Sequence, residues 1–136
     1  MSKAKKREES IVQAGIRRAI GAEKDFDLFR NNVGEALFGK ARVAYGLGTG
    51  TPDLVGMLSV WGVAIWVAFE VKAPGEEPSL EQRRVHAAWR ARGVFVFVVH
   101  SVDEAVAMLE YARGAALAIL RESAARDLAS ALGGAS

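Results

Sequence analysis

Apolar residues that recur at helical spacing predict helices in several parts of the chain. In residues 9–22, Ile, Val and Ala side chains recur every three or four positions, which predicts an amphipathic first helix. The segments 79–92 and 101–113 each begin with a Ser that is followed three residues later by Gln or Glu. This is the pattern of a capping box, and it predicts two more helices. The Ala- and Leu-rich segment 114–136 predicts an additional C-terminal helix.

Segments rich in β-branched and aromatic residues predict the strands between these helices. Residues 54–60 and 63–72 are predicted to form two strands joined by a tight turn at Trp61-Gly62. A short strand is expected at 41–45, and the continuous apolar run 94–99 is typical of a strand covered on both faces. Helices that alternate with strands favour an α/β fold with a mixed sheet, antiparallel at the hairpin and parallel across a helical crossover.

The predicted hairpin brings two carboxylates together. A turn centred on Trp61-Gly62 pairs residues whose numbers total 123, so Asp53 is expected to lie opposite Glu70. Because side chains alternate along a strand, Lys72 projects on the same face as Glu70. The intervening positions of that strand are all apolar and should face the core, namely Val63, Ile65, Val67, Phe69 and Val71.

Opposed carboxylates repel each other unless one is protonated or a cation lies between them. A hard divalent metal ion that takes an oxygen from each would remove the conflict. Lys72 could then contact a phosphate or the attacking water, an arrangement that suits phosphodiester hydrolysis. The alternative is that Asp53, Glu70 and Lys72 form only a solvated cluster of ion pairs.

Composition narrows the chemistry of such a site. The chain of 136 residues is of single-domain length. It has no Cys and two His, which excludes thiolate chemistry and favours Mg²⁺ or Mn²⁺ over zinc. The net charge of +2 says little about nucleic acid, and the basic residues of segment 1–8 and of the helix at 79–92 could be solubilising charges. No apolar stretch is long enough to span a membrane and no signal-peptide core is evident, so a cytoplasmic protein is expected.

Five short sequence elements occur in an order that points to one family. They are Glu9-Ser10-Ile11-Val12-Gln13, Arg30-Asn31-Asn32-Val33-Gly34, Gly50-Thr51-Pro52-Asp53-Leu54-Val55-Gly56, Phe69-Glu70-Val71-Lys72 and Leu80-Glu81-Gln82. The set resembles the PD-(D/E)XK nucleases, and more closely the stand-alone phage and bacterial proteins of the VRR-NUC family. The resemblance implies a restriction-endonuclease-like α-β-β-β-α-β core with a mixed sheet flanked by helices, plus a C-terminal helix. The chain would then consist of a basic N-terminal arm at 1–8, the nuclease domain at 9–113, and a C-terminal helix and tail at 114–136.

The resemblance also implies roles for individual residues. Asp53 and Glu70 would be metal ligands, the main-chain carbonyl of Val71 would complete the site, and Lys72 would position or activate water. Glu9 would approach the metal from the first helix, directly or through a water. The neighbouring Glu8 is the alternative, and either could instead be a favourable charge at a helix N-terminus.

Further residues are candidates for supporting roles. Gln82 matches the family's glutamine at the start of the second core helix, although capping alone would explain it, and Gln13 lies on the same helical side as Glu9. The candidates for DNA contact are Arg30, Asn31, Asn32, Lys40 and Arg42. The first three could instead brace the site loop, or form a turn with asparagines at positive φ.

The sequence predicts structural roles for the remaining conspicuous side chains. His86 falls among arginines and is expected to be solvated. His100 ends a buried strand and is expected to be structural. Trp61, Trp66 and Trp89 are expected to be packing residues rather than platforms for bases.

The resulting expectation is a metal-dependent endonuclease. The resemblance implies DNA as the substrate, in branched, flapped or junction form rather than at a specific sequence. Cutting both strands would require a two-fold homodimer, for which the apolar tail helix is a candidate surface. The alternatives are a non-catalytic nucleic-acid-binding module of the same fold and a purely structural protein.

Overall fold

The computed structural model describes residues 1–134, in which a four-stranded mixed sheet is flanked by helices. The elements in chain order are α1 (Lys3–Ile20), β1 (Phe26–Arg30), β2 (Gly34–Phe38), β3 (Ala41–Tyr45), β4 (Leu54–Val60), β5 (Val63–Val71), α2 (Leu80–Ala91), β6 (Phe95–Val99) and α3 (Val102–Gly133). None of the helices described is both long and apolar enough to cross a membrane.

The four-stranded sheet has the order β1-β4-β5-β6. Its first three strands are antiparallel neighbours, and β6 joins β5 in parallel after the crossover through α2. The predicted hairpin register is confirmed, because Leu54 pairs with Phe69 and Val60 with Val63. At the turn, Trp61 has φ 51° and Gly62 has φ 74°. Positive φ at both central positions is the geometry whose twist matches that of the flanking strands.

The start of the first helix differs from the prediction. The helix begins at Lys3 instead of residue 9, because Ser2 caps it by accepting a hydrogen bond from the Lys5 main-chain N–H. The basic segment predicted as an arm therefore forms the first turns of α1. Its Lys5 side chain forms an ion pair with Glu76, which ties these turns to the loop after β5.

The end of the chain also differs, since one 32-residue helix replaces the two predicted segments. Gly114 was expected to separate a helix that ended near residue 113 from the tail helix, and that break is wrong. A single glycine costs a helix only about 1 kcal/mol. The buried side chains on either side of it, Ala112 and Ala116, keep α3 packed against the body across this position.

The first strand of the core is β1, and the segment 41–45 lies outside the core sheet. That segment does form a strand, β3, but in the described residues it pairs with β2 in a separate two-stranded hairpin. β1 escaped prediction because its five residues carry only a brief apolar alternation. The predicted α-β-β-β-α-β core is present, with β1, β4 and β5 as its three consecutive core strands.

The two faces of the sheet are covered unequally. Helices α1 and α3 cover one face, where Leu54, Val67 and Phe69 pack with α1 and α3 residues in the main core. Of the core positions predicted along β5, burial is confirmed for Val67, Phe69 and Val71, whereas Val63 beside the turn is exposed. On the other face a small cluster centred on Ala68 packs against α2. Glu70 follows Ala68 by two residues, so its side chain lies on the α2 face.

The three tryptophans do not share the packing role expected of them. Trp89 of α2 packs against the small cluster on the second face. Trp61 and Trp66 are exposed, at 60% and 45% of their surface. The side chain of Arg121 lies over the Trp61 ring, with its guanidinium carbon 5.8 Å from the ring centroid.

One cluster of ion pairs fastens α3 to the loop before β1. Arg113 donates to both carboxylate oxygens of Asp25, at 2.8 and 2.7 Å, and also pairs with Glu23. We expect Arg113→Gln to lower the free energy of unfolding by about 1 kcal/mol, a modest value because Asp25 is partly exposed. Urea denaturation at pH 7 measures it. Arg126→Gln, on the exposed part of α3, should change the free energy by much less, and equal losses would contradict this reading.

The same contact has a pH dependence. The Arg113 guanidinium lowers the pKa of Asp25 below its ordinary value. A carboxylate with a lowered pKa stabilises the fold above its unfolded pKa, and the contribution is lost as the pH falls through the folded pKa. The difference between wild type and Arg113→Gln should therefore shrink as the pH falls below about 4.

Candidate active site

Asp53 and Glu70 face each other at one end of the hairpin. Asp53 directly precedes β4, and the neighbouring pair Leu54 and Phe69 sets the register that places it opposite Glu70. The Asp53 Oδ2 atom accepts a hydrogen bond of 2.8 Å from the Val71 main-chain N–H. This bond holds the Asp53 carboxyl against β5, beside Glu70.

The electrostatics of Asp53 reflect this position. Burial and the facing Glu70 carboxylate raise the pKa of Asp53 from 3.8 to about 7, and a hydrogen bond to Glu70 adds to the effect. The Val71 N–H and the Lys72 ammonium act in the opposite direction and lower the pKa. Glu70 is buried and Asp53 is half-buried, so the two facing carboxylates repel each other, as the predicted hairpin register implies.

Glu70 is 1% exposed and is surrounded by polar partners. Its Oε1 accepts a hydrogen bond of 3.0 Å from Gln82 Nε2 and lies 3.8 Å from Lys72 Nζ. Its Oε2 lies 3.1 Å from His86 Nε2. The buried carboxylate is therefore oriented by three side chains, two of them on α2.

Gln82 satisfies both interpretations that the sequence allowed. Its Oε1 accepts from the Ser79 N–H at 2.9 Å and completes the capping box of α2. Its Nε2 donates at the same time to Glu70. One side chain therefore starts the helix and fixes the carboxylate.

The prediction that His86 is solvated is wrong. His86 is 1% exposed and contacts Glu70, because α2 turns this position toward the sheet, whereas the preceding Arg83 and Arg84 are exposed. An ionised carboxylate only accepts hydrogen bonds, so it is the Nε2–H tautomer of His86 that can donate to such a group. The available signal was spacing: His86 follows Gln82 by four residues, which places both on one side of the helix.

We expect His86→Leu to lower both the stability of the fold and the affinity of the site for a divalent metal ion. The substitution leaves one Glu70 oxygen without its partner, which should lower the free energy of unfolding by about 1–3 kcal/mol. Loss of such an orienting partner typically reduces metal affinity or activity by about 10- to 100-fold. Urea denaturation and Mn²⁺ titration measure the two effects. His86→Gln, which keeps a donor, should recover part of each, and a Leu variant with wild-type stability and affinity would refute the role.

Glu9 is anchored near the site by the main chain. Its Oε1 accepts a hydrogen bond of 3.2 Å from the Ala73 N–H, one residue beyond Lys72. Glu8 is exposed and lines a different cavity, beside Lys5 and Pro74. In residues 1–134 no three His, Asp or Glu side chains gather closely enough to hold a metal ion together. Direct binding of a metal ion by Glu9 stays a prediction. The carboxylates that face each other at the site are those of Asp53 and Glu70.

Asn31 braces the loop that carries Asp53. Its Nδ2 donates to the Thr51 hydroxyl and to the Pro52 carbonyl, both at 2.8 Å, and its Oδ1 accepts from the Leu47 N–H at 3.0 Å. Its own N–H donates to the Asp53 carbonyl at 2.8 Å. The bracing interpretation thus has direct support, while a turn with asparagines at positive φ is wrong.

A cavity of about 370 Å³ adjoins this centre. It is lined mainly by polar residues, namely Gln13, Arg30, Asn31, Asn32, Val33, Thr49, Gly50, Thr51, Asp53 and Gln82. Gly50, at φ 83°, passes so close to Val85 of α2 that a Cβ atom there would lie 2.9 Å from the Val85 side chain. The loop therefore fits tightly against α2 beside Asp53.

Lys40 and Arg42 lie on the β2–β3 hairpin and do not line this cavity. Arg42 is exposed and lies 3.4 Å from Glu35 of the neighbouring strand. Of the five residues predicted to contact DNA, the structure places Arg30, Asn31 and Asn32 at the cavity. Contact of Lys40 or Arg42 with DNA stays a prediction.

Comparisons with known proteins support the family resemblance through structure. No family profile matches the chain, and no curated protein sequence matches it. A solved structure described as a VRR_NUC domain is similar to it, with a TM-score of 0.53 and 26% identity over 76% of this chain and 95% of that one. The predicted resemblance to VRR-NUC domains, which are part of the PD-(D/E)XK superfamily, is confirmed. The chain therefore has the fold of a nuclease-type domain.

Proposed function

We propose that this protein is a metal-dependent endonuclease that hydrolyses phosphodiester bonds of DNA. The observation that carries the proposal is the opposition of Asp53 and Glu70 beside a polar cavity. DNA as the substrate follows from the likeness to a VRR_NUC domain.

The donor atoms at the site fit Mg²⁺ or Mn²⁺. Asp53 and Glu70 present carboxylate oxygens, and the main-chain carbonyl of Val71 would complete the set. Hard divalent ions prefer such oxygen ligands. Burial and the facing Glu70 carboxylate both raise the pKa of Asp53, and a cation between the two carboxylates would relieve their repulsion. A divalent ion bound there would lower the pKa of a coordinated water and offset charge on the phosphate.

The residues around the pair would each contribute to the reaction. Lys72 is mostly buried, and its ammonium lies beside Glu70, where it would hold the phosphate or the attacking water in place. Gln82 and His86 keep the Glu70 carboxylate in one orientation. Glu9 would support the site from α1, through its hydrogen bond to the main chain next to Lys72.

The form of the DNA and the oligomeric state of the protein are further parts of the proposed function. We propose selectivity for branched, flap or junction DNA, on the basis of the family resemblance. We also propose a homodimer, since one site cuts one strand. Exposed apolar side chains on the second half of α3, Ile119, Leu128 and Leu132, would supply a contact surface.

A cleavage assay tests the activity. Wild-type protein with Mg²⁺ or Mn²⁺ should cut at least one of linear duplex, flap and four-way junction DNA, and excess EDTA should stop it. Asp53→Asn should remove the activity. Asp127→Asn, an exposed carboxylate of α3, is the matched control and should cut like wild type. Cutting that persists in Asp53→Asn, or no cutting of any substrate by wild type, would overturn the proposal.

A further inference from the structure

Half of the sheet face that carries Asp53 and Glu70 is open and aromatic. Helix α2 covers this face over β5 and β6, where Trp89 packs. The alternation along β5 places Trp66 and Ala68 on the same face as Glu70. Phe29 of β1 pairs with Val55, and Val55 pairs with Ala68, so Phe29 lies on this face too. Phe29 is 56% exposed and Trp66 45% exposed.

Two cavities along this open half form one groove. A cavity of about 310 Å³ is lined by Leu47, Val55, Trp66, Trp89, Arg92 and Val94. A neighbouring cavity of about 530 Å³ shares Leu47, Val55 and Trp66 with it and adds Phe29 and Tyr45. We refer to the two together as the aromatic groove.

The aromatic groove is continuous with the candidate active site. Arg30, Asn31 and Asn32 line both the groove and the cavity that contains Asp53. Trp66 precedes Glu70 by four residues on the same strand, which corresponds to roughly 13 Å at the usual rise of a strand. A nucleic-acid chain with one phosphate at Asp53 and Glu70 can therefore extend directly over Trp66.

The charge and chemistry of the groove suit a polyanion with apolar bases. Arg30 and Arg92 line it, and no acidic side chain of the described residues does. Aromatic rings beside arginines form the usual surface for single strands, because bases stack on the rings while the arginines meet the backbone. In a duplex the bases are stacked on each other and their faces are not available to Trp66.

We propose that the aromatic groove binds unpaired nucleotides of the DNA strand next to the bond that is cut. The inference rests on the proposed nuclease function and adds a substrate feature to it: a single-stranded segment stacked on Trp66 and Phe29. A second copy of the chain is the competing occupant. Arg30 and Arg92 oppose it, because a two-fold contact would bring like charges together.

Binding in the absence of divalent metal tests the proposal. The probes are a fluorescein-labelled oligothymidine and a blunt duplex of equal length, followed by fluorescence anisotropy with EDTA present. Trp66→Ala should weaken binding of the single strand by about tenfold or more, the range for loss of one stacking contact, and binding of the duplex by less than about twofold. Trp66→Phe should retain most of the single-strand affinity.

Trp61→Ala is the matched control. Trp61 is also exposed, but it lies on the β4–β5 turn beside Arg121, outside the groove. This variant should bind both probes like wild type. Equal thermal melting of the variants checks that each is folded.

Three results would overturn the proposal. They are unchanged single-strand binding in Trp66→Ala, equal losses for both probes, and a wild-type dimer in sedimentation that Trp66→Ala dissociates. The last would assign the groove to a second copy. Because no cleavage is measured, failure here leaves the nuclease proposal intact, and absence of cleavage with normal single-strand binding would defeat only that proposal.

Discussion

Lys72→Ala is expected to lower the rate of DNA cleavage by about 100-fold or more while metal and DNA still bind. Lys72 Nζ lies 3.8 Å from Glu70 Oε1, and the side chain is mostly buried, so its ammonium is held beside the carboxylate pair. It is not expected to bind the metal, since an ammonium has no free electron pair. The loss should therefore appear in the chemical step.

Single-turnover kinetics at saturating Mg²⁺ and protein separate these effects. The rate constant should fall, while the protein concentration that gives half the maximal rate should stay within about threefold of wild type. Lys24→Ala, at an exposed position before β1, is the matched control and should behave like wild type. A Lys72→Ala variant that binds DNA poorly but cuts at full rate would assign this lysine to substrate binding instead.

Asp53→Asn is expected to abolish cleavage and yet to make the metal-free protein more stable at neutral and alkaline pH. In the fold the pKa of Asp53 is about 7, against 3.8 as the ordinary value. The folded state thus binds the proton more tightly, and the stability of wild type should decline as the pH rises from about 4 to about 7. The asparagine carries no charge, and its carbonyl can still accept from the Val71 N–H.

The gain for Asp53→Asn should reach about 1–4 kcal/mol at pH 8 and should be small at pH 4. Urea denaturation in EDTA at several pH values measures the difference between the two proteins. Asp127→Asn should show no comparable pH-dependent gain. A difference between wild type and Asp53→Asn that is the same at pH 4 and pH 8 would show that the fold does not raise the pKa of the Asp53 carboxyl.

The Asp53→Asn variant identifies a cost that the candidate active site places on the fold. The protein keeps an unfavourable pair of carboxylates on the second face of its sheet, where an apolar pair would stabilise it more. The surrounding hydrogen bonds from Val71, Gln82 and His86 limit that cost and fix the geometry. Mg²⁺ or Mn²⁺ should therefore raise the melting temperature of wild type and leave that of Asp53→Asn unchanged.

The hairpin was the part of the site most accessible to prediction. Its register depends on a short turn and on a side-chain period of two, and both can be read from Trp61-Gly62 and the residues around it. Once the register is known, the opposition of Asp53 and Glu70 follows by geometry. A local rule was therefore enough for the two residues on which the proposed chemistry depends.

The α2 side of the site was harder to predict. Arginines at positions 83, 84, 90 and 92 made the helix look solvated throughout, although His86 lies on its inward side. The charge of neighbours in sequence says little about a helical position, because adjacent residues are separated by about 100° around the axis. The pairing with Glu70 joins β5 to α2, and the local signal for it is the four-residue spacing that places His86 on the same side of the helix as Gln82.

Parts of the fold were predicted wrongly where the sequence signals are short or overlap. The Ser2 cap lies in a basic segment that resembles a solvated arm, and β1 is too short for its period to be distinctive. Only pairing with β4 shows that β1 joins the sheet while β3 stays in a separate hairpin. These choices are made by tertiary contacts, which propensity alone does not contain.

We expect Asp53 and Glu70 together to hold one divalent metal ion, and calorimetric titration with Mn²⁺ tests this without any cleavage. Wild type should bind Mn²⁺ at one site, and Asp53→Asn and Glu70→Gln should each lose that binding while Asp127→Asn keeps it. Thermal melting confirms that each variant is folded. Equal Mn²⁺ affinity in wild type, Asp53→Asn and Glu70→Gln would contradict the claim.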